Sequence, residues 1–218
     1  MERHQIAIVI PALNEESTIA KIVLKASAYG VPIVVNDGSN DRTSELAAVA
    51  GARVINHSES QGYDAALNSG FLQADILECK YIITMDADGQ HDPLALVSFI
   101  KALDNGADIA IGIRDRHQRI AEYIFSWFSF VTLGVSDPLC GLKAYRVELY
   151  KELGHFDSYS SIGTELTIYA ANQCKNIIEL PVRTIDRKDE SRFGSVISSN
   201  VKILRSLILS IWKKISLY

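Results

Sequence analysis

The chain has 218 residues, 48% of them hydrophobic and 22% charged, with a formal net charge of −4. That length fits one domain with a sizeable core, and the charge balance argues against a basic nucleic-acid-binding surface. Three scattered cysteines, Cys79, Cys140 and Cys174, argue against a disulfide framework or a CxxC zinc site and for reduced thiols in a cytosolic compartment.

In chain order, "QIAIVIPA" (5–12) is a continuous apolar run of the kind buried on both faces of a parallel sheet. It is too short for a signal peptide. "NEESTIAKIVLKASAYG" reads as a helix, with Asn14 a possible cap and glutamates suited to the helix dipole. Next come "PIVVNDGS" as strand, "DRTSELAAVAG" as helix, "ARVINH" as strand and "YDAALNSGFLQAD" as helix. "YIITMDADG" makes a fourth strand, "DPLALVSFIKALDNG" a helix starting at Pro93, and "ADIAIGIR" a fifth strand. Four β–α alternations predict a doubly wound, mostly parallel α/β sheet flanked by helices. Ligands of such sheets sit beyond the carboxyl ends of the strands. Further along, "YIFSWFSFVTLGVS" (123–136) is uncharged and aromatic, "GTELTIYAANQCKN" reads as helix and "IIELPVRTIDR" as strand. The tail "NVKILRSLILSIWKKISLY" reads as a basic amphipathic helix; residues 1–195 are taken as the main domain and 196–218 as this appendage. No run reaches the roughly 18–20 uncharged apolar residues of a spanning helix.

The polar clusters fall after apolar strands, where the sheet rule puts a ligand. In "MDADGQHDP", Asp86 and Asp88 stand two apart, followed by Gln90 and His91. Such a cluster is either a strand-end turn or an oxygen-rich site for a hard cation such as Mg²⁺ or Mn²⁺, shared with phosphates. His91 is a loop residue or a ligand. "VVNDGSNDRT" supplies a turn and helix cap, with Asp37 also able to hydrogen-bond a ribose or base. No dinucleotide fingerprint, P-loop or GxSxG elbow is present. "DRKDESRFGS" (186–195) is either a solvated loop or a phosphate clamp, and Arg114, Arg116 and Arg119 pose the same choice.

Together, "VIPALNEE", "VVNDGSNDRT", "MDADGQHDP", "SDPLCGLKAYR" and "ESRFG" resemble, in order and spacing, the motifs of family 2 glycosyltransferases. The branch they are most similar to is that of dolichyl- or polyprenyl-phosphate mannose and glucose synthases. The resemblance implies a GT-A type fold, a nucleotide-sugar donor, a divalent cation (Mg²⁺ or Mn²⁺) and inversion at the sugar carbon. It also implies that Pro11, Ala12, Asn14, Glu16, Asp37 and Asp86 contact the nucleotide, with Asp86, Asp88 and Gln90 holding the metal. Arg114 and Arg119 would then grip an acceptor phosphate, Asp137 would lie nearest the reacting centre, and Arg187 and Arg192 would close on the donor pyrophosphate. Asn36 and Asp64 depart from the family pattern.

The chemistry expected of such residues follows from charge. A departing nucleoside diphosphate needs cationic neutralisation. A lipid phosphate acceptor is already anionic near pH 7, whereas a glycan hydroxyl needs a general base, for which Asp137 is the candidate. The expected partners are therefore a nucleotide sugar and a polyprenyl phosphate or glycan acceptor. The aromatic stretch and the tail (with Leu209 and Trp212) would lie on the inner face of the membrane from the cytoplasm, or else pack into the core or a homo-oligomer. A weakly catalytic nucleotide-sugar-binding subunit is the remaining alternative.

Overall fold

The structure is a computed structural model that describes residues 2–116, 119–184 and 196–216. Strand β1 (Ile6–Ala12) alternates its side chains between two cores: Ile6, Ile8, Ile10 and Ala12 face one way, Ala7 and Val9 the other. That is why the run reads as uninterruptedly apolar, since both faces of the central strand are covered.

Around it, β2 (Val31–Asp37), β3 (Arg53–His57), β4 (Tyr81–Thr84), β5 (Ile109–Arg114), β6 (Lys143–Arg146) and β7 (Ile177–Val182) complete a seven-stranded sheet. Its order is β3-β2-β1-β4-β6-β5-β7. All pairings are parallel except those of β6, which runs antiparallel to both β4 and β5. Helices α1 (Ile19–Ala26), α2 (Thr43–Val49) and α4 (Leu96–Asp104) cover one face through Ile22, Val23, Ala47, Phe99 and Leu103. Helices α3 (Tyr63–Ile76), α6 (Val147–Leu153) and α7 (Glu165–Asn172) cover the other, where Phe71 and Phe156 stack with ring centroids 4.4 Å apart. The doubly wound expectation therefore holds.

Three local departures matter. Asn14 caps nothing: it sits at φ 54, and α1 begins only at Ile19. The helix expected from Pro93 opens with a short 3₁₀ turn, where the Asp92 side chain accepts from the Leu94 N–H at 3.1 Å, before α4 proper. The reversed β6 and the short α6 were not expected from the sequence.

The reversal shapes the site. Helix α5 (Ile120–Leu133) ends at left-handed Gly134, and residues 135–142 cross the carboxyl edge of the sheet before β6 turns back. Thr84 Oγ1 donates to the Gly141 carbonyl at 2.7 Å, fastening that crossing to the end of β4. Helix α8 (Val196–Ser216) packs along α5 through Ala121, Phe125, Ile203 and Leu207. Ser199, Ser206 and Ser210 of α8 are also buried, Ser206 and Ser210 against the 159–161 loop.

Candidate active site

A cleft of about 750 Å³ opens at the carboxyl ends of β1, β2, β4 and β5, where strand order reverses and such sheets bind ligands. At the end of β4, Asp86, Asp88 and Gln90 all face it. The Asp86 carboxylate lies over the Gly141 backbone, where a Cβ would stand 2.1 Å from its Oδ2, so a side chain at 141 would push the carboxylate aside. Tyr63 donates to Asp86 Oδ1 at 3.3 Å, and His91 Nε2 lies 3.7 Å from Oδ2. Burial works against the Asp86 charge, but His91, Tyr63 and Arg114 outweigh it and keep its pKa below the ordinary value. Asp88 Oδ1 accepts from the Gln90 N–H at 2.9 Å, closing a tight turn. His91 is 6% exposed, stands behind Asp86, and has an Nδ1 with no hydrogen-bond partner. It supports Asp86 from outside the cleft.

These donors are oxygens, the chemistry a hard cation takes. Among the described residues no three His, Cys, Asp or Glu side chains gather into a protein cage. Such a cation keeps waters and shares substrate phosphates, so two carboxylates and an amide on an open wall fit it.

At the ends of β1 and β2 the structure redistributes the expected roles. Pro11, Ala12 and Asp37 line the cleft as expected, but of the two glutamates in "PALNEE" it is Glu15 that faces in. Asn14 and Glu16 face away. Asn14 accepts from the Asn40 N–H at 2.9 Å through its side chain, and Glu16 accepts from the Arg42 N–H at 3.2 Å. Both therefore brace the loop before α2. Asp37 is 4% exposed and receives four hydrogen bonds from within the chain: His57 and Gln61 N–H on Oδ1, Ser60 Oγ and Gly62 N–H on Oδ2. Against burial, these donors hold its pKa below the ordinary value. Through them Asp37 anchors the 60–62 loop at the edge of the cleft.

Arg114 and Arg119 reach the cleft wall, but not as solitary cations. Arg114 grips Asp137 through Nε (2.8 Å) and Nη2 (2.9 Å) and reaches Glu122 through Nη1 (3.2 Å). Arg119 Nη1 pairs with the other Glu122 oxygen at 2.9 Å. Burial disfavours the Arg114 charge, yet Asp137 and Glu122 raise its pKa above the usual value. Asp137 is wholly buried and does not line the cleft. Expected nearest the reacting centre, it is held by Arg114 through two side-chain hydrogen bonds.

On the opposite wall, Asp64 accepts from the Gly163 N–H at 2.6 Å and the Ile162 N–H at 3.2 Å. Burial and the nearby Asp157 push its pKa up to about 6. The 160–163 loop it holds contains three left-handed residues, Ser160, Ile162 and Gly163. Ile162 is β-branched, so that conformation is strained. Buried Lys143 Nζ donates to the Gly163 carbonyl at 2.7 Å, its pKa pulled down to about 8 by burial. Helix α8 adds Lys202 and Arg205 to the wall. Sequence reasoning did not find Glu15, Glu122, Asp157 or Arg205 as cleft residues. The one available signal was the three-residue spacing of Lys202 and Arg205, which puts them on one helix face. Arg187 and Arg192 lie outside the described residues.

The structure is thus a doubly wound α/β protein with a carboxylate-lined cleft beyond its strand ends. Residues 7–125 match the model of Glycosyl transferase family 2, and the chain belongs to that family. It is 29% identical over 200 residues to the dolichyl-phosphate hexose transferase of Haloferax volcanii, covering 86% of each chain. It is also 29% identical over 206 residues to the polyprenol monophosphomannose synthase of Mycolicibacterium smegmatis, covering 83% of this chain and 77% of that one. The glucosyl-3-phosphoglycerate synthase of Mycobacterium tuberculosis, solved with Mn²⁺ and UDP-glucose, superposes with a TM-score of 0.77 at 20% identity, over 94% of this chain and 78% of that one. The fold is of the GT-A type, and the protein is a glycosyltransferase.

Proposed function

We propose that the protein transfers a hexose from a UDP- or GDP-sugar to polyprenyl phosphate, with inversion and dependence on Mg²⁺ or Mn²⁺, at the cytosolic face of a membrane. The observation that carries this reading is the cleft wall at the end of β4, where Asp86, Asp88 and Gln90 converge beneath an otherwise acidic surface. Among the described residues seven carboxylates line the cleft (Glu15, Asp37, Asp64, Asp86, Asp88, Glu122 and Asp157) against four cations. A nucleoside diphosphate needs added positive charge to enter such a place. The bound ion, held by Asp86, Asp88 and Gln90, would supply it and neutralise the departing diphosphate.

The chain's own residues do the rest. Pro11, Ala12 and Glu15 shape the nucleotide end, and the Asp37-anchored loop closes its side. An acceptor phosphate oxygen attacks the anomeric carbon as the bond to the diphosphate breaks, and the bond's electron pair leaves with the nucleotide. That oxygen is already ionised, so the seclusion of Asp137 is no obstacle. Arg187 and Arg192 remain the proposed pyrophosphate clamp. The related transferases named for dolichyl and polyprenol phosphates support the same acceptor class.

Membrane contact rests on α5, whose Ile120, Tyr123, Trp127, Phe130 and Val131 are all more than half exposed. No helix among the described residues is long and apolar enough to cross a bilayer, so contact would be interfacial. A second reading, transfer to a glycan hydroxyl, is favoured by one observation: Asp64 lines the cleft with a pKa of about 6, suited to a base.

The test is a panel of UDP- and GDP-sugars with Mn²⁺ or Mg²⁺ and a short-chain polyprenyl phosphate. Sugar appearing on the lipid, lost with EDTA and in Asp88→Ala, is expected. Lipid product that survives both treatments would overturn the metal assignment.

A further inference from the structure

We infer that His57 is a positioning residue for donor binding: clamped between Asp37 and Ser69, it fixes the 60–62 loop at the nucleotide end of the cleft. The inference rests on the nucleotide-sugar reading and goes beyond it.

Strands β2 and β3 run in register so that Asp37 and His57 are paired at their carboxyl ends. His57 Nδ1 lies 2.7 Å from Asp37 Oδ1, and the two side chains are only 8% and 6% exposed. An ionised carboxylate only accepts, so Nδ1 carries the proton of that bond whichever charge state the ring holds. A charge-assisted bond in so dry a place is a strong one. The other three donors on Asp37, Ser60 Oγ and the Gln61 and Gly62 N–H groups, belong to the loop itself. With those alone, carboxylate and loop could swing together about the Asp37 Cβ–Cγ bond. Among the described residues the His57 bond is the one that ties the carboxylate to the sheet.

The ring is held from behind as well. Its Nε2 lies 2.9 Å from Ser69 Oγ on α3, so one imidazole joins β2, β3 and α3. Serine, histidine and aspartate in this order look like a hydrolytic triad, but neither Ser69 nor His57 lines the cleft, and the loop occupies Asp37. The chain of bonds therefore holds and does not react.

What it holds faces the ligand. Ser60, Gln61 and Gly62 line the cleft beside Asp37. The loop lies hard on Gly38, where a Cβ would stand 2.6 Å from the Ser60 nitrogen. Gly62, at φ 98, turns the loop into α3, whose first residue Tyr63 donates to Asp86 at 3.3 Å. A ring lost from beneath this loop blurs the cleft wall without removing any group that lines it, and binding is sensitive to such support.

The experiment uses the two ring nitrogens separately. His57→Asn keeps an amide N–H where Nδ1 stood and gives up Ser69; His57→Gln reaches toward Ser69 and gives up Asp37. UDP and GDP are titrated with Mn²⁺ onto wild type and both variants, and exchange of the Gln61 and Gly62 amides is followed by NMR. For the tighter-bound diphosphate, a Kd raised ~10-fold or more in His57→Gln but within about threefold of wild type in His57→Asn is expected from losing one charge-assisted bond. Donor KM should follow the same ranking with acceptor KM within about twofold, and the two amides should exchange ~10-fold faster in His57→Gln. An unchanged Kd in His57→Gln overturns the inference. So does an equal rise in both variants, or donor and acceptor KM rising together, since either reports general loosening. If His57→Gln does not fold, Ser69→Ala carries the test by freeing the ring from α3: faster exchange of the two amides supports the inference, and exchange equal to wild type overturns it. Failure of wild type to bind either diphosphate is a separate result: it sinks the functional reading, while amide exchange still decides whether His57 holds the loop.

Discussion

At the scale of single residues, the ion pair between Asp137 and Arg114 is the clearest case of a side chain whose role depends on its partner. In the sequence Asp137 is a polar residue before a proline, with nothing to show that it is wholly buried against the end of β5. Removing one member of a buried pair leaves the other charge unsatisfied, so Asp137→Ala should cost about 3–5 kcal/mol in urea unfolding. A loss below about 1 kcal/mol, the range of an exposed pair, would contradict the buried network. Asp64 gives a second, pH-dependent prediction. Its carboxyl titrates at about 6 in the fold against an ordinary 3.8. Between those values the folded chain binds more protons than the unfolded one, so this group's contribution to stability falls as pH rises through the window and levels off above it. The unfolding free energy of wild type relative to Asp64→Asn should therefore drop by roughly 2 kcal/mol from pH 4 to pH 7. A flat difference would mean that burial does not act on Asp64 as described. Which glutamate of "PALNEE" faces the cleft was not legible either. The left-handed turn at Asn14 changes the parity of the chain just after the strand, and alternation no longer predicts direction.

At the scale of elements, the five leading strands and their helices were readable because each carries an uninterrupted apolar run or a helical period. Strand β6 was not, because four residues, "KAYR", are too few for periodicity to declare itself and pairing direction leaves no local trace. That short reversal is what brings Gly141 beneath Asp86 and Asp137 beside Arg114. The aromatic stretch was legible as special, and the structure gives its two faces. Ala121, Phe125 and Ser129 are buried, whereas Trp127 and Phe130 are 67% and 61% exposed. Apolar residues held outward along one helix mark an interaction surface. Trp127→Glu with Phe130→Glu should abolish flotation with anionic liposomes while changing stability by no more than about 0.5 kcal/mol per site, as expected of surface positions. Undiminished flotation would remove α5 from the membrane. Loss of a dimer on sedimentation would assign the face to a second copy of the chain.

At the scale of the whole molecule, the sheet places a carboxylate wall, a loop pinned by Asp37 and two α8 cations around one cleft, with exposed apolar helices beside its mouth. The ordered motifs made the family and fold legible, because a strand followed by a polar cluster keeps its meaning wherever it falls in a doubly wound sheet. The division of labour among the cations was not legible, since it depends on which carboxylates fold against them. The central claim is that the acceptor is an anionic phosphate, and it is tested most directly by offering one labelled nucleotide sugar to matched polyprenyl phosphate and polyprenol in parallel. Label on the phosphate and none on the alcohol is the predicted result. Equal transfer to the alcohol would contradict the account and make Asp64 the base to pursue.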